Sequence, residues 1–249
     1  MKKFLLILLL PAFALVSCND DDGYSLDKFW VSMATVENPD DNSYFYLRLD
    51  NNDRLWVAST NFYNYRPRTG QRILADYTIL NDKPENAGYQ HDVKLNDAYN
   101  ILTKNIFYIT PETQDSIGND PIGVRDIWVG GDYLNIRFFF DASGKTHFIN
   151  LVRDNSKEYN DGRIHLEFRH NAYDDEQRYR VGGWVSFNLN SLFVQPQEIT
   201  ERLNLTVHVK ELDGTEKKYD FIYDPDNKWV SPKEYTRDEY GEGKDINVE

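Results

Sequence analysis

The sequence predicts an all-β chain, an N-terminal OB-like five-stranded barrel followed by a C-terminal immunoglobulin-like β-sandwich. Three observations predict it. Apolar residues alternate with period two, not 3.6, through most of the 249 residues. Aromatics are numerous, with 17 Tyr, 14 Phe and 5 Trp, as suits pleated, half-buried surfaces. Clusters of Gly, Asn and Asp punctuate the alternating segments where hairpins would turn. With 14 Gly and 9 Pro the chain is too poor in both to be disordered or fibrous.

Residues 1–17 read as a signal peptide: Lys2 and Lys3, an apolar stretch from Phe4 to Val16, then short residues. That stretch is broken by Pro11 and falls short of the roughly 20 apolar residues a spanning helix needs. Leu15-Val16-Ser17-Cys18 resembles a bacterial lipobox, in which the cysteine is acylated after cleavage before it. Cys18 is the chain's one cysteine, so no disulfide competes for it. Residues 18–27 form a tether, and Asp20, Asp21 and Asp22 resemble the acidic export signal of surface-exposed lipoproteins. The expected location is the outer membrane, facing outward, with the bilayer held through acylated Cys18. Two or three acyl chains anchor a domain firmly, at about 0.8 kcal/mol per buried methylene.

The barrel is expected over residues 28–109. Lys28–Val36 carries Trp30, Ala34 and Val36 on one side and Phe29, Val31 and Met33 on the other, a strand buried on both faces. Ser43–Leu49 and Arg54–Ala58 flank the turn Asp50-Asn51-Asn52-Asp53 and make a hairpin. Arg72–Leu80 is a fourth strand, and Tyr89–Ile109 holds at least one more. Residues 110–123, opening on Thr110-Pro111, are the expected linker. The sandwich follows over 124–226 in seven segments, Val124–Val129, Tyr133–Phe140, Thr146–Val152, Arg163–Arg169, Val181–Leu189, Leu203–Lys210 and Lys217–Tyr223. Residues 227–249 are polar and are expected to form a loose tail.

The hairpin Tyr46-Leu47-Arg48-Leu49-Asp50 to Asp53-Arg54-Leu55-Trp56, the Trp30–Val36 strand, Gly70-Gln71-Arg72-Ile73 leading into Asp76-Tyr77, and Leu102-Thr103-Lys104 resemble the NigD-like lipoproteins. The resemblance covers most of the chain beyond the signal peptide. It implies an OB domain followed by a β-sandwich and a role suggested by operon context, bacteriocin immunity, with no catalytic residues to carry over.

Chemistry is sparse. Cleavage removes Lys2 and Lys3 but no acid, moving the formal charge from −13 to −15, which disfavours nucleic acid as a partner. There is no Gly-x-Ser-x-Gly elbow, and the one cysteine is spoken for. His165 and Glu167 alternate with Arg169 along one strand, but a zinc site would need His147 or His170 brought in by the fold. The acidic turns at 50–53, 174–176 and 224–226 lack EF-hand spacing. No metal and no cofactor are expected. The stretch 61–72 concentrates Phe62, Tyr63, Tyr65, Arg66 and Arg68 in an acidic chain, residue types that dominate binding hot spots, and is the expected ligand site. The plainer reading has its rings covering the barrel end. Asp115-Ser116-Ile117 resembles a bacterial O-glycosylation sequon, with Ser116 as acceptor, whereas Asn204-Leu205-Thr206 lies in an expected strand. The expectation is a non-enzymatic binding module for an unknown protein, peptide or glycan. Immunity against a toxin is the alternative, and a surface hydrolase the third reading.

Overall fold

The computed structural model describes residues 24–38, 44–193, 199–229, 233–241, 246 and 248–249. The signal peptide, Cys18 and Asp20–Asp22 lie outside the described residues. Among the described residues no helix is long and apolar enough to cross a membrane.

Five strands close the barrel: β1 (Trp30–Glu37), β2 (Tyr46–Leu49), β3 (Arg54–Thr60), β4 (Arg72–Asp82) and β5 (His91–Asn100), in the order β1-β2-β3-β5-β4. β3 and β5 run parallel, and the other pairs are antiparallel. The 50–53 turn forms as its chemistry demands: the Asn51 side-chain oxygen accepts from Asp53 N–H, and Asn52 takes a φ of 72°. Val36, Leu47, Leu55, Ile73 and Val93 fill the interior. β1 is buried on both faces, as its sequence predicts. Ala34 and Val36 point into the barrel, while Val31 and Met33 join Leu74, Ile101, Trp128, Trp184, Tyr235 and Tyr240 in a second apolar cluster between barrel and sandwich.

Among the described residues the sandwich has nine strands. β6 (Leu102–Asn105), β12 (Tyr179–Asn188), β9 (Tyr133–Ala142) and β8 (Gly123–Gly130) form one sheet in that order. The other runs β14 (Glu216–Tyr223), β13 (Leu203–Lys210), β11 (Ile164–Asn171), β10 (Phe148–Asp154) and β7 (Phe107–Ile109). All seven segments expected from alternation are strands, and Gly162 and Gly214 close turns at φ of 70° and 83°. Leu134, Ile136, Phe138, Leu151, Leu166, Phe168 and Phe187 are among the core residues between the sheets.

Two boundaries differ from the expectation. The chain leaves the barrel at Ile101, because β6 and β7 add parallel to β12 and β10, one edge strand for each sheet of the sandwich. Residues 110–123 are therefore a loop of the sandwich, not a linker. It carries a short helix, α1 (Gln114–Ile117), and a fully buried Ile122 whose N–H donates to Lys210 C=O. Nor is the segment from 233 to 241 a loose tail. Tyr235 N–H donates to Val31 C=O, and Tyr235 and Tyr240, the latter on helix α2 (Arg237–Gly241), are buried between the domains. Arg237 pairs with Asp76 of the barrel at 2.7 Å, and Glu239 and Lys233 pair with Arg137 and Asp126 of the sandwich. Its polarity concealed it: two tyrosines and three ion pairs anchor it without an apolar run.

Candidate ligand-binding strip

Register decides what the barrel shows to solvent. In the β2–β3 hairpin Leu47 faces Leu55 inside, so Tyr46 and Trp56 form an outward pair and Arg48 and Arg54 the next one. Glu37 projects outward from β1 between the two arginines. Its carboxylate accepts from Arg54 Nε at 2.7 Å and from Arg48 Nη2 at 3.2 Å. Burial alone would push the Glu37 carboxyl up, but the hydrogen bonds and charges of Arg48 and Arg54 outweigh it and hold the pKa below the usual range.

Aromatic rings continue the surface. The Arg54 guanidinium lies 3.7 Å from the centroid of Tyr46, and Tyr89 packs on both Tyr46 and Trp56, at 5.8 and 5.9 Å. Tyr46, Trp56 and Tyr89 each remain partly exposed. At the other end Arg48 and Glu37 border a cleft of about 150 Å³ that opens between the domains, also lined by Tyr133 and Trp229. Gly131 beside the Trp229 ring takes a φ of 57°, the left-handed region that favours glycine. The floor is Arg72, whose side chain is 1% exposed. It donates to both Asp50 oxygens, to Thr35 Oγ1 and, across the domain boundary, to Asn135 Oδ1 at 2.9 Å, and it lies against the Tyr133 ring. Asn135 Oδ1 also accepts from Ser186 Oγ, so the buried ion pair is tied into the sandwich. The result is one continuous strip of aromatic and guanidinium groups, prearranged by ion pairs.

The residues expected in the 61–72 stretch are divided. Phe62 and Tyr65 touch each other and Tyr65 packs on Phe45, closing the barrel end as the plainer reading had it. Tyr63 is 94% exposed, and Arg66 and Arg68 are exposed on the same loop. Ser116 is exposed on α1, its hydroxyl donating to Thr113 C=O. Four of the five histidines form two separate pairs, His147 with His170 and His165 with His208, each at 2.8 Å, while Glu167 is taken by Lys157 and Arg169. Among the described residues no group of three or more His, Cys, Asp or Glu side chains could hold a metal ion. The hairpin carried the sequence signal for the strip, since the alternation Tyr-Leu-Arg-Leu and Arg-Leu-Trp-Val puts its large side chains outward, but the 61–72 loop holds a denser run of rings and arginines that drew the expectation away.

The profile of the NigD-like N-terminal OB domain matches residues 33–101, and that of the NigD-like C-terminal beta sandwich domain matches residues 105–223. No curated protein matches the chain. Among solved structures, a protein of unknown function from Bacteroides vulgatus is 32% identical, with a TM-score of 0.72 over 86% of this chain and 99% of that one. A candidate toxin-related protein from Parabacteroides distasonis is 37% identical, with a TM-score of 0.66 over 80% and 95%. A NigD-like immunity protein from Bacteroides caccae shares the fold at 21% identity, with a TM-score of 0.59 over 82% and 99%.

Proposed function

The chain belongs to the NigD-like family, and from that premise we propose that it is a lipid-anchored envelope protein that binds a ligand along the strip of its barrel without transforming it. The observation that carries this reading is the strip itself. Tyr, Trp and Arg supply most of the energy at protein hot spots, and here Glu37 holds the two arginines while Arg54 and Tyr89 pack on the other rings before any ligand arrives, which lowers the ordering cost of binding. Glu37, clamped between two guanidinium groups, is a poor general base, which fits capture better than turnover.

The protein without its signal peptide, displayed to peptide and glycan arrays, should retain a ligand. The double variant Tyr46→Ala/Trp56→Ala should bind it about 2–4 kcal/mol more weakly with little change in melting temperature. Undiminished capture by a folded double variant rejects the strip as the site. Exposed Tyr63, Arg66 and Arg68 then take its place, with Phe62 and Tyr65 as their support.

The anchor follows from Leu15-Val16-Ser17-Cys18. Mass spectrometry of the N-terminal peptide from membranes should show acylated Cys18, and recovery of an unmodified N-terminus at another residue rejects the anchor. Placement on the outer surface rests on Asp20–Asp22. Surface protease should remove the protein from intact cells, and replacing the three aspartates by alanine should abolish that access. An immunity-type role is the second reading, favoured by the toxin-related relative at 37% identity. A neighbouring bacteriocin gene, with survival of producing cells exposed to that bacteriocin, selects it.

A further inference from the structure

On the sandwich, away from the strip, the end of β10, the β10–β11 connection and the start of β11 enclose an open pocket of about 470 Å³. In a chain with 41 acidic and 28 basic residues, its lining carries three cations, Arg153, Lys157 and Arg163, against one carboxylate, Asp154. Two of the cations are fixed by neutral oxygens, Arg163 being also paired with Asp220 at 3.2 Å. Arg153 Nη1 donates to Leu192 C=O at 3.1 Å, and Arg163 donates through Nε to Thr206 Oγ1 and through Nη2 to Leu205 C=O, both at 2.6 Å. Lys157 is paired with Glu167 at 2.5 Å and with Asp154 at 3.6 Å, but Glu167 is held independently by Arg169 at 2.7 Å, so a turn of Lys157 toward another anion leaves each carboxylate a hydrogen-bond partner. Asp154 is occupied by Ser156, which donates to it through both its N–H and its hydroxyl.

Beside the cations stands a flat platform. The Tyr159 ring lies 3.6 Å from His165 at an interplanar angle of 8°, and 40% of Tyr159 stays exposed. His165 is itself fixed by His208 at 2.8 Å on one nitrogen and by Asp161 at 3.0 Å on the other, and His208 reaches Glu216 at 3.2 Å. One face of the tyrosine is thus committed to the protein, and the ring is kept from tilting. Such a face accepts the C–H side of a pyranose, and the adjacent cations accept an oxyanion.

We propose that this pocket binds a sugar bearing a single negative charge, its carboxylate or sulfate seated among Arg153, Lys157 and Arg163 and its ring against Tyr159. A single charge is specified because Asp161, Asp220 and Glu167 surround the three cations and offset part of their field. The site is separate from the strip and does not depend on it.

The full chain without its signal peptide is titrated with D-glucuronate, D-glucose 6-sulfate, D-glucose and AMP, following the NMR signals of the Tyr159 ring and the His165 imidazole. Glucuronate or the sulfate ester should shift both saturably, and glucose should not. Arg153→Ala/Lys157→Met should weaken binding at least about tenfold, the equivalent of one charge-assisted hydrogen bond, and Tyr159→Ala should also weaken it. Tyr46→Ala/Trp56→Ala should leave it unchanged, which separates this site from the strip. If the double variant fails to fold, Lys157→Met alone, at a side chain 44% exposed, serves in its place. Glucose shifting the signals as strongly as both anionic sugars, AMP binding more tightly than either, or undiminished binding by the folded variants overturns the proposal.

Discussion

Arg72 is far more enclosed than the nearby loop arginines Arg66 and Arg68, because the first eight residues of β4 are buried on both faces and one of those faces meets the sandwich. His170 is also enclosed. Its Nδ1 is 3.0 Å from Pro121 C=O and its Nε2 2.8 Å from His147. Burial, only partly opposed by that carbonyl, lowers its pKa to about 4. A histidine depressed in the folded state binds its proton more tightly when unfolded, so its stabilisation is complete above about pH 6.5 and is lost as the pH falls toward 4. Urea denaturation between pH 7 and 4.5 should therefore show stability falling by roughly 2.4 kcal/mol. The slope should flatten in His170→Asn, and an equal slope in the variant rejects the assignment. Carboxylates such as Glu37, held below their usual range, act only at the acid end of that window.

Strand elements were legible wherever a period-two pattern ran for five or more residues between turn formers, which is why the seven long sandwich strands and the barrel strands were readable in order. β6 and β7 were assigned to the wrong domain because four and three residues carry almost no periodicity, and their parallel partners, β12 and β10, lie far along the chain. Helix α2 and the residues before it failed for the opposite reason, since their attachment is made by two tyrosines and ion pairs. The energetic claim is direct: Tyr235→Ala and Tyr240→Ala each open a cavity in the interdomain cluster and should cost about 2–4 kcal/mol. Thermal denaturation measures this. A loss below about 0.5 kcal/mol, the scale of ordinary surface substitutions, rejects the role of these tyrosines in anchoring residues 233–241.

For the molecule as a whole, a shared cluster of Val31, Met33, Leu74, Ile101, Trp128 and Trp184 and the Arg72–Asp50–Asn135 network make the barrel and sandwich one body. Calorimetry should give a single unfolding transition. A barrel cut after Ile101 would expose Val31, Met33 and Leu74 and should self-associate. Two well-separated transitions in the intact chain would contradict this coupling. This coupling was not legible in the sequence, which reports apolar content but not which apolar face meets another domain.

The hydrogen bond from Tyr235 to Val31 joins residues more than 200 positions apart. Closing so distant a contact is slow, because loop entropy opposes it until local structure has formed. β1 is made early, yet its outer face cannot be fully covered until residues 233–241 have also emerged from the ribosome, so a chain made N-terminus first keeps an apolar face open through most of its synthesis.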